Sequence, residues 1–141
     1  MLEDQASYIL LAEDNKPDVY LVRKSLQDHG ITQELRTVRD GEEALRFIAE
    51  VGLRFPCPQL MLLDLNLPKV TGAEILSKLR AHPECAGVPV IIMTSSDSPT
   101  DREDVIGLGA RAYFRKPSRL ESFMELGSLV KRVLDENAAA G

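Results

Sequence analysis

The chain has 141 residues, the size of one domain and too short for an α/β barrel of about 250 residues. Hydrophobic residues make up 44% and charged residues 28%, as in ordinary globular proteins, and the net charge is −5. Nucleic-acid binding needs clustered Lys and Arg, so this acidic balance predicts no nucleic-acid partner. The apolar runs at 60–63 and 88–93 fall far short of the ~20 residues that span a membrane, and residues 2–5 are no secretory leader. We therefore expect a cytoplasmic protein without a membrane partner.

Short apolar segments alternate with amphipathic segments along the whole chain. The apolar segments lie at 8–11, 35–38, 60–63, 90–93 and 112–114. The first, third and fourth are apolar on both faces, which is typical of parallel strands buried between helices. The pattern predicts five strands, each followed by a helix.

Helix start and stop signals agree with this alternation. Start signals are residues with N-cap chemistry, in three cases with Glu three positions later, namely Asn15, Asp40, Thr71, Ser98 and Ser118. Glycines are placed to end the first, second and fourth helices, namely Gly30, Gly52, and Gly107 or Gly109. Strict β-α alternation favours a doubly wound α/β/α sandwich around a parallel sheet. We assign residues 7–136 to this domain, 1–6 to an N-terminal extension, 137–141 to a C-terminal tail and 52–59 to a long exposed loop.

The cysteines and histidines carry no recognisable metal-ligand spacing. Cys57 and Cys85 are far apart in the sequence, and we expect two unrelated reduced thiols rather than a redox pair or a metal site. His29 precedes Gly30 and His82 precedes Pro83, so both are expected to be solvated residues at helix ends.

Polar residues follow the predicted strands at the point where each strand stops. Glu13 and Asp14 follow the first strand and Asp64 ends the third. The fourth strand runs into Thr94 and Ser95, and the fifth is followed by Arg115 and Lys116. Because the carboxyl ends of parallel strands share one edge of the sheet, these side chains should converge on one site.

The converging residues suggest a particular chemistry. The carboxylates of Glu13, Asp14 and Asp64 repel one another unless a cation lies among them, and an open site made only of oxygen ligands suits Mg²⁺ or Mn²⁺. The backbone carbonyl of Asn66 is a further candidate ligand. Asp64, alone at its strand end, is placed for nucleophilic attack on a phosphoryl group. Lys116 would neutralise phosphoryl charge and Thr94 would hydrogen-bond a phosphoryl oxygen.

With these residues in place, the chain resembles the receiver domain of two-component response regulators from residue 8 to about residue 134. The motifs that carry the resemblance are Glu-Asp-Asn at 13–15, Asp-Leu-Asn-Leu-Pro at 64–68, Thr-Ser at 94–95 and Tyr-Phe-Arg-Lys-Pro at 113–117. The resemblance implies a flavodoxin-like strand order of 2-1-3-4-5. The Glu-Asp-Asn-x-x-Asp stretch at 13–18 and the Leu-Asn-Leu-Pro-Lys stretch at 65–69 are similar to those of the small regulators that partner bacterial phytochromes.

The resemblance also implies a role for each matched residue. Asp64 matches the phosphoacceptor, Asp14 the main metal ligand and Glu13 the second acid. Thr94 matches the switch hydroxyl, and Ser95 belongs with it to the phosphate-binding residues. Tyr113 matches the switch aromatic and Lys116 the lysine of the phosphorylation site. Pro117 matches the proline that follows a cis peptide. Glu13 departs from the commoner Asp, and its longer side chain is expected to reach the metal through water without loss of metal binding.

The function implied is a single-domain phosphorylation switch. A sensor histidine kinase, on the finer resemblance a phytochrome-like one, would donate a phosphoryl group to Asp64, and the phosphorylated form would bind its partner differently. The protein would catalyse only its own phosphorylation and slow dephosphorylation, so it is not an enzyme in the usual sense. Two alternatives remain open. An aspartyl-phosphate phosphatase would need an acid where Asn66 stands, and a phosphorylation-independent binding module would not need the complete site.

The last helix also predicts a homodimer. On a helical wheel its apolar residues between 120 and 134 spread over roughly 220°, more than a helix lying on one sheet needs. The surplus edge is assigned to Leu126, Leu129 and Val133, which would be exposed in a monomer. Exposed apolar patches usually mark interaction sites, and the resemblance points to the same region. Two alternatives stay open: the long loop or the chain end covers this edge, or the edge binds the kinase or a target.

Overall fold

The computed structural model describes residues 7–95 and 98–140 of the chain. The predicted N-terminal extension at 1–6, Ser96 and Gly141 lie outside the described residues. The predicted C-terminal tail is helical where it is described, since the last helix runs to Ala140.

Five parallel strands form one sheet in the order β2-β1-β3-β4-β5. The strands are β1 (Tyr8–Ala12), β2 (Glu34–Val38), β3 (Leu60–Asp64), β4 (Val90–Thr94) and β5 (Ala112–Arg115). All five residues of β1, β3 and β4 are buried, whereas β2 and β5 lie at the two edges and are partly exposed. The predicted fold class and strand order are confirmed.

Six helices connect and follow the strands in the described chain. They are α1 (Lys16–Asp28), α2 (Gly41–Glu50), α3 (Gly72–Ala81), α4 (Pro99–Gly107), α5 (Leu120–Phe123) and α6 (Glu125–Ala140). Four predicted caps are confirmed, because the side chains of Asn15, Asp40, Thr71 and Ser98 each accept a hydrogen bond from the backbone N–H three residues later. Of the two glycines proposed to end the fourth helix, Gly109 takes the left-handed conformation with φ of 97°.

The fifth predicted cap is wrong. The first backbone hydrogen bond of α5 runs from the N–H of Phe123 to the carbonyl of Arg119. Arg119 is therefore the N-cap instead of Ser118, and no side-chain hydrogen bond caps this helix.

The sheet separates two hydrophobic cores, each supplied by alternate residues of the same strands. One face of β1 and β3, with Leu10 and Leu63, packs with residues of α2, α3 and α4. The other face, with Leu11 and Leu62, packs with residues of α1, α5 and α6. Burial of both faces explains why the central strands read as continuous apolar runs.

A junction between α1 and the last two helices explains why the single predicted fifth helix is interrupted. The hydroxyl of Ser25 donates to the carbonyl of Met124 at 2.7 Å and accepts from the N–H of Gly127 at 2.8 Å. Ser25 is fully buried, so both hydrogen bonds are shielded from water. The chain bends at Met124, and α6 then packs closely along α1.

The residues assigned to a dimer surface are not available for one. Leu126 and Val133 are 0% and 1% exposed, and the half-buried Leu129 packs against the same core. The assignment was wrong because α6 buries its apolar arc against two neighbours, the sheet and α1, whereas the wheel allowed only for the sheet. The homodimer stays a prediction with no surface assigned to it.

The close approach of α1 and α6 gives a stability prediction. A β-carbon at Gly127 would overlap the His29 ring and the Ser25 carbonyl, so Gly127→Ala should lower the free energy of unfolding by about 1–3 kcal/mol. Gly107→Ala, which has nothing within 4 Å of its new methyl group, is the matched control. Urea unfolding of both variants measures the difference, and equal stabilities would show that α6 does not pack on α1 in this way.

The expectation for the cysteines was also wrong. Cys57 and Cys85 form a disulfide with their Cα atoms 5.7 Å apart. The cysteines are 28 residues apart in the sequence, which gave no sign of the pairing. They meet because β3 crosses the sheet from this edge and α3 returns the chain to it. The surrounding loop is also less exposed than predicted, since Phe55 stacks on Phe47 and Pro58 is buried.

His82, expected to be solvated, is partly buried beside this disulfide, and its ring hydrogen-bonds the backbone. His29 is partly buried as well, with its Nδ1 2.9 Å from the carbonyl of Ser25. Across the described residues, none of the helices has the length and apolar character needed to cross a lipid bilayer.

Candidate functional site

The carboxyl edge of the sheet forms an open cleft of about 790 Å³. The predicted site residues that line it are Glu13, Asp14, Asp64, Asn66, Ser95, Lys116 and Pro117. They come from four different loops, and the parallel sheet brings them together across about a hundred residues of sequence. The predicted convergence is therefore observed.

Three carboxylates crowd one side of the cleft. Oxygen atoms of Glu13, Asp14 and Asp64 lie within 4.8 Å of one another. Glu13 is fully buried and Asp64 is 5% exposed, whereas Asp14 faces solvent. Burial, followed by the neighbouring Asp64, raises the pKa of Glu13 to about 7, although Lys116 acts in the opposite direction. A proton and a bound cation would therefore compete for the Glu13 carboxyl near neutral pH.

Lys116 ties the carboxylates together. Its Nζ lies 2.7 Å from Glu13 Oε1, 2.9 Å from Asp18 Oδ2 and 3.2 Å from Asp64 Oδ2. Burial alone would lower the pKa of Lys116, but hydrogen bonds to Glu13 and Asp18 outweigh it and raise the pKa above its ordinary value. The ammonium group therefore keeps its charge in the cleft.

Asp18 is a member of the site that our sequence analysis missed. It lies in the first turn of α1, where its backbone N–H is capped by Asn15, and its carboxylate reaches Lys116. A signal was present, because Asp18 lies in the first turn of α1, which begins directly after the loop that carries Glu13 and Asp14. Asp18 entered the sequence analysis only as the last residue of the Glu-Asp-Asn-x-x-Asp stretch, with no role assigned to it.

Asp64 and Thr94 are linked through Asn66. The backbone N–H of Asn66 donates to Asp64 Oδ1 at 2.9 Å, and its side-chain amide donates to Thr94 Oγ1 at 3.1 Å. Thr94 is fully buried at the end of β4. The backbone N–H of Lys116 also donates to the carbonyl of Thr94 at 2.7 Å, so the ends of β3, β4 and β5 form one connected unit.

Tyr113 does not line the cleft and lies on the face of β5 that packs against the first core. It pairs with Ile92 across the sheet, two residues before the strand ends, and its half-buried ring packs against the first core. The guanidinium of Arg102 stacks over the ring, 5.4 Å from its centre. Tyr113 on β5 and Thr94 on β4 therefore lie on adjacent strands.

The peptide bond before Pro117 is trans, contrary to the prediction, as are the other described peptide bonds. The trans form is the intrinsically favoured one, by about 0.5–1 kcal/mol before proline. It is also compatible with the site, because Lys116 makes both its backbone and its ammonium contacts in this conformation.

The donor set fits a hard divalent cation. Glu13, Asp14 and Asp64 offer only oxygen atoms, and the cleft is open enough for a cation to keep several water molecules, as Mg²⁺ usually does. Mn²⁺ accepts the same ligands. A cation would also offset the repulsion between these carboxylates, because Lys116 supplies only one positive charge against the three of them.

Comparison with known proteins agrees with the fold and the site. The family model of the response regulator receiver domain matches residues 9–126. The chain therefore belongs to the response regulator receiver domain family, whose fold and acidic metal site are described above.

Its similar relatives include response regulators, one of them a phytochrome response regulator. Response regulator Rcp1 of Synechocystis is 36% identical over 120 residues, which cover 84% of this chain and 82% of Rcp1. The crystal structure of the phosphorylated cyanobacterial phytochrome response regulator RcpA superposes with a TM-score of 0.81 and 31% identity, over 90% of this chain and 92% of RcpA. The Mn²⁺-bound form of Rcp1 gives a TM-score of 0.79 and 34% identity, over 89% and 91%.

Proposed function

We propose that this receiver is a phosphorylation switch in which Asp64 accepts a phosphoryl group from a sensor histidine kinase. The observation that carries the proposal is the position of Asp64. Its carboxylate is nearly buried, is oriented by the N–H of Asn66 and lies 3.2 Å from the Lys116 ammonium. These contacts place a nucleophile beside the positive charge that an incoming phosphoryl group requires.

The transfer exchanges one bond for another. An oxygen of Asp64 forms a bond to phosphorus while the bond from phosphorus to the histidine nitrogen of the kinase breaks. The electron pair of the broken bond stays on the imidazole, which takes up a proton from water. Lys116 and the hydroxyl of Thr94 then bind phosphoryl oxygens, with Ser95 at the rim of the cleft. Hydrolysis of the aspartyl phosphate would return the protein to its starting state.

Glu13, Asp14, Asp64 and the backbone carbonyl of Asn66 would hold Mg²⁺, or Mn²⁺ in its place. The cation supplies positive charge that neutralises the phosphoryl oxygens. Asp14, the exposed member, is proposed as the main ligand, and the buried Glu13 as a contributor through water.

The phosphatase alternative receives no support from Asn66. A phosphatase acid would have to stand in its place, but an amide has no proton to give at neutral pH. Its Nδ2 is moreover engaged with Thr94. The proposed catalysis is therefore limited to the protein's own phosphorylation and dephosphorylation.

The metal requirement tests the proposal directly. Labelling of the protein by acetyl phosphate should stop in excess EDTA and return when excess Mg²⁺ is added, because the acidic cluster repels a dianion without a cation. Asp14→Ala should reduce labelling most and Glu13→Ala less. Phosphoprotein formation can be followed by intact mass. Equal labelling with and without chelator would contradict the metal role, and failure of acetyl phosphate in all conditions would favour a phosphorylation-independent binding module.

The switch is proposed to run from Thr94 to Tyr113. When the Thr94 hydroxyl moves from Asn66 toward a phosphoryl oxygen, the space it leaves allows the Tyr113 ring to turn inward on the neighbouring strand. Two conformations would thus exchange populations under the control of the phosphoryl group.

Thr94→Ala should separate phosphorylation from switching. The variant keeps Asp64 and Lys116 and should still be labelled, but its missing hydroxyl should leave the environment of Tyr113 unchanged. Hydrogen exchange of β5 before and after acetyl phosphate treatment measures the response. Thr94→Ser, which keeps the hydroxyl, is the control and should respond as the wild type does. A wild-type response from Thr94→Ala would place the switch elsewhere.

The partner is proposed from the relatives. The phytochrome response regulator RcpA suggests that a phytochrome-like histidine kinase acts on this protein, and we propose that it does so in the cytoplasm. A competitive transfer assay with several purified kinases would identify the partner as the kinase that phosphorylates Asp64 fastest.

A further inference from the structure

A second cluster of reactive side chains lies at the opposite edge of the sheet from the cleft. Cys57 precedes β3 and Cys85 precedes β4, and a ring nitrogen of His82 lies within 4.8 Å of both sulfur atoms. The two cysteines are joined as a disulfide. We propose that Cys57 and Cys85 form a reversible dithiol–disulfide site, in which Cys57 is the sulfur that exchanges with an external thiol.

The hydrogen bonds of His82 argue against a metal site here. Its Nε2 lies 3.1 Å from the carbonyl oxygen of Val51, which can only accept, so Nε2 carries the proton. Its Nδ1 lies 3.1 Å from the N–H of Glu84, which can only donate, so the lone pair of Nδ1 is already used. The imidazole therefore has no electron pair left for a cation. The chemistry that remains to the cluster is that of its two sulfurs.

The difference in burial between the cysteines decides which one reacts. Cys85 is 0% exposed, whereas Cys57 is partly exposed in the loop before β3. A groove of about 230 Å³ lies next to the pair and is lined by residues that flank both cysteines, among them Pro58, Glu84 and Val88. An external thiol must contact the sulfur that it attacks, so exchange at Cys57 is open and exchange at Cys85 is blocked.

Reduction and oxidation of the disulfide then both pass through a mixed disulfide on Cys57. On reduction, an external thiolate attacks Cys57 Sγ, and Cys85 leaves as a thiolate that takes up a proton. A second external thiol cleaves the mixed disulfide, which releases the Cys57 thiol and an oxidised external disulfide. On oxidation by oxidised glutathione, the Cys57 thiolate forms the mixed disulfide first. Cys85 then displaces glutathione, so one oxidised glutathione yields two reduced molecules.

The surroundings hold the two sulfurs in register for closure. The hydroxyl of Tyr8 donates to the carbonyl of Pro56 at 2.6 Å, and the N–H of Gln59 donates to the carbonyl of Tyr8 at 2.9 Å, which fixes the backbone on both sides of Cys57. The N–H of Cys85 donates to the carbonyl of His82 at 3.0 Å. These contacts do not involve the sulfurs and survive reduction, so the reduced cysteines stay adjacent.

The redox site is separate from the phosphorylation site. The length of β3 from Leu60 to Asp64, about 13 Å at roughly 3.3 Å per residue, lies between them. All of β3 is buried, and the strand pairs with β1 on one side and with β4 on the other. The redox state of the pair is therefore expected to leave acetyl phosphate labelling of Asp64 unchanged, so that this inference and the proposed function fail by different results.

The test is a glutathione redox titration of the wild-type protein, read by thiol alkylation and intact mass. A single two-electron transition between dithiol and disulfide is expected. Each single variant is then incubated with oxidised glutathione. Cys85→Ser should accumulate the mixed disulfide on Cys57. Cys57→Ser should react at about one tenth of that rate or more slowly, because its remaining thiol is buried.

Three results would overturn the inference. The first is a wild type that stays reduced or stays oxidised across the titration. The second is equal reaction of the two single variants while both keep the circular dichroism spectrum of the wild type. The third is retention of one equivalent of zinc by the reduced wild type after gel filtration. The wild-type titration decides the question even if a variant fails to fold.

Discussion

Asp64→Asn is expected to abolish phosphorylation by acetyl phosphate. The amide that replaces the carboxylate is nearly isosteric but cannot attack phosphorus, so the hydroxylamine-sensitive label should disappear completely. The hydrogen bond from Asn66 can be kept, since the amide oxygen still accepts it. Loss of labelling would therefore reflect lost chemistry instead of a lost fold.

The control for this experiment makes the same chemical change away from the cleft. Asp28 is exposed at the end of α1 and pairs only loosely with Lys24, at 3.8 Å. Asp28→Asn should be labelled as the wild type is. If Asp64→Asn keeps the label, another carboxylate of the cluster is the acceptor, and peptide mapping of the labelled protein would show which one.

Opening the Cys57–Cys85 disulfide is expected to cause the largest loss of stability. The bond closes a loop of 28 residues that contains β3 and α3. The chain-entropy estimate for a loop of that length is about 3–4 kcal/mol, because the unfolded chain gains the freedom that the bond removes. Urea unfolding with and without reductant measures the change in the free energy of unfolding.

The double variant Cys57→Ser, Cys85→Ser is the matched control for the reductant. It should have about the stability of the reduced wild type, and reductant should not change it. A difference below about 1 kcal/mol between oxidised and reduced wild type would show that the loop is already restricted in the unfolded chain.

The fold was predictable because local and global signals agree along this chain. The runs of β1, β3 and β4 are apolar on both faces, which only a sheet covered by helices on both sides can satisfy. The caps at Asn15 and Thr71 then mark where two of the helices that connect the strands, α1 and α3, begin. Strand direction follows from this alternation, and with it the edge where the polar residues meet.

The site was predictable as far as it depends on strand ends. Glu13 directly follows β1, Asp64 is the last residue of β3 and Lys116 directly follows β5, so the sheet alone brings them together. Asp18 depends instead on the direction of α1, and the link from Asn66 to Thr94 depends on a side-chain rotamer. The spacing of residues in the sequence indicates neither of these two contacts.

The features that were missed come from contacts between elements distant in sequence. Burial of Leu126 and Val133 requires that α6 contact α1, and Gly127 and Ser25 allow the two helices to approach closely. The pairing of Cys57 with Cys85 requires the return of α3 to the edge where β3 began. Periodicity within one segment carries no information about either arrangement.

The crowding of four carboxylates near Lys116 has a consequence for how this protein tolerates change. Glu13, Asp18 and Asp64 contact the one ammonium group, and an oxygen of Asp14 lies within 4.8 Å of oxygens of Glu13 and Asp64. A sequence optimised for stability alone would not select such an arrangement. Neutral replacements of Asp14 or Asp64 relieve this frustration while they remove the chemistry. A selection for heat-resistant variants would therefore collect substitutions in this cleft and enrich inactive proteins, unless phosphorylation were selected at the same time.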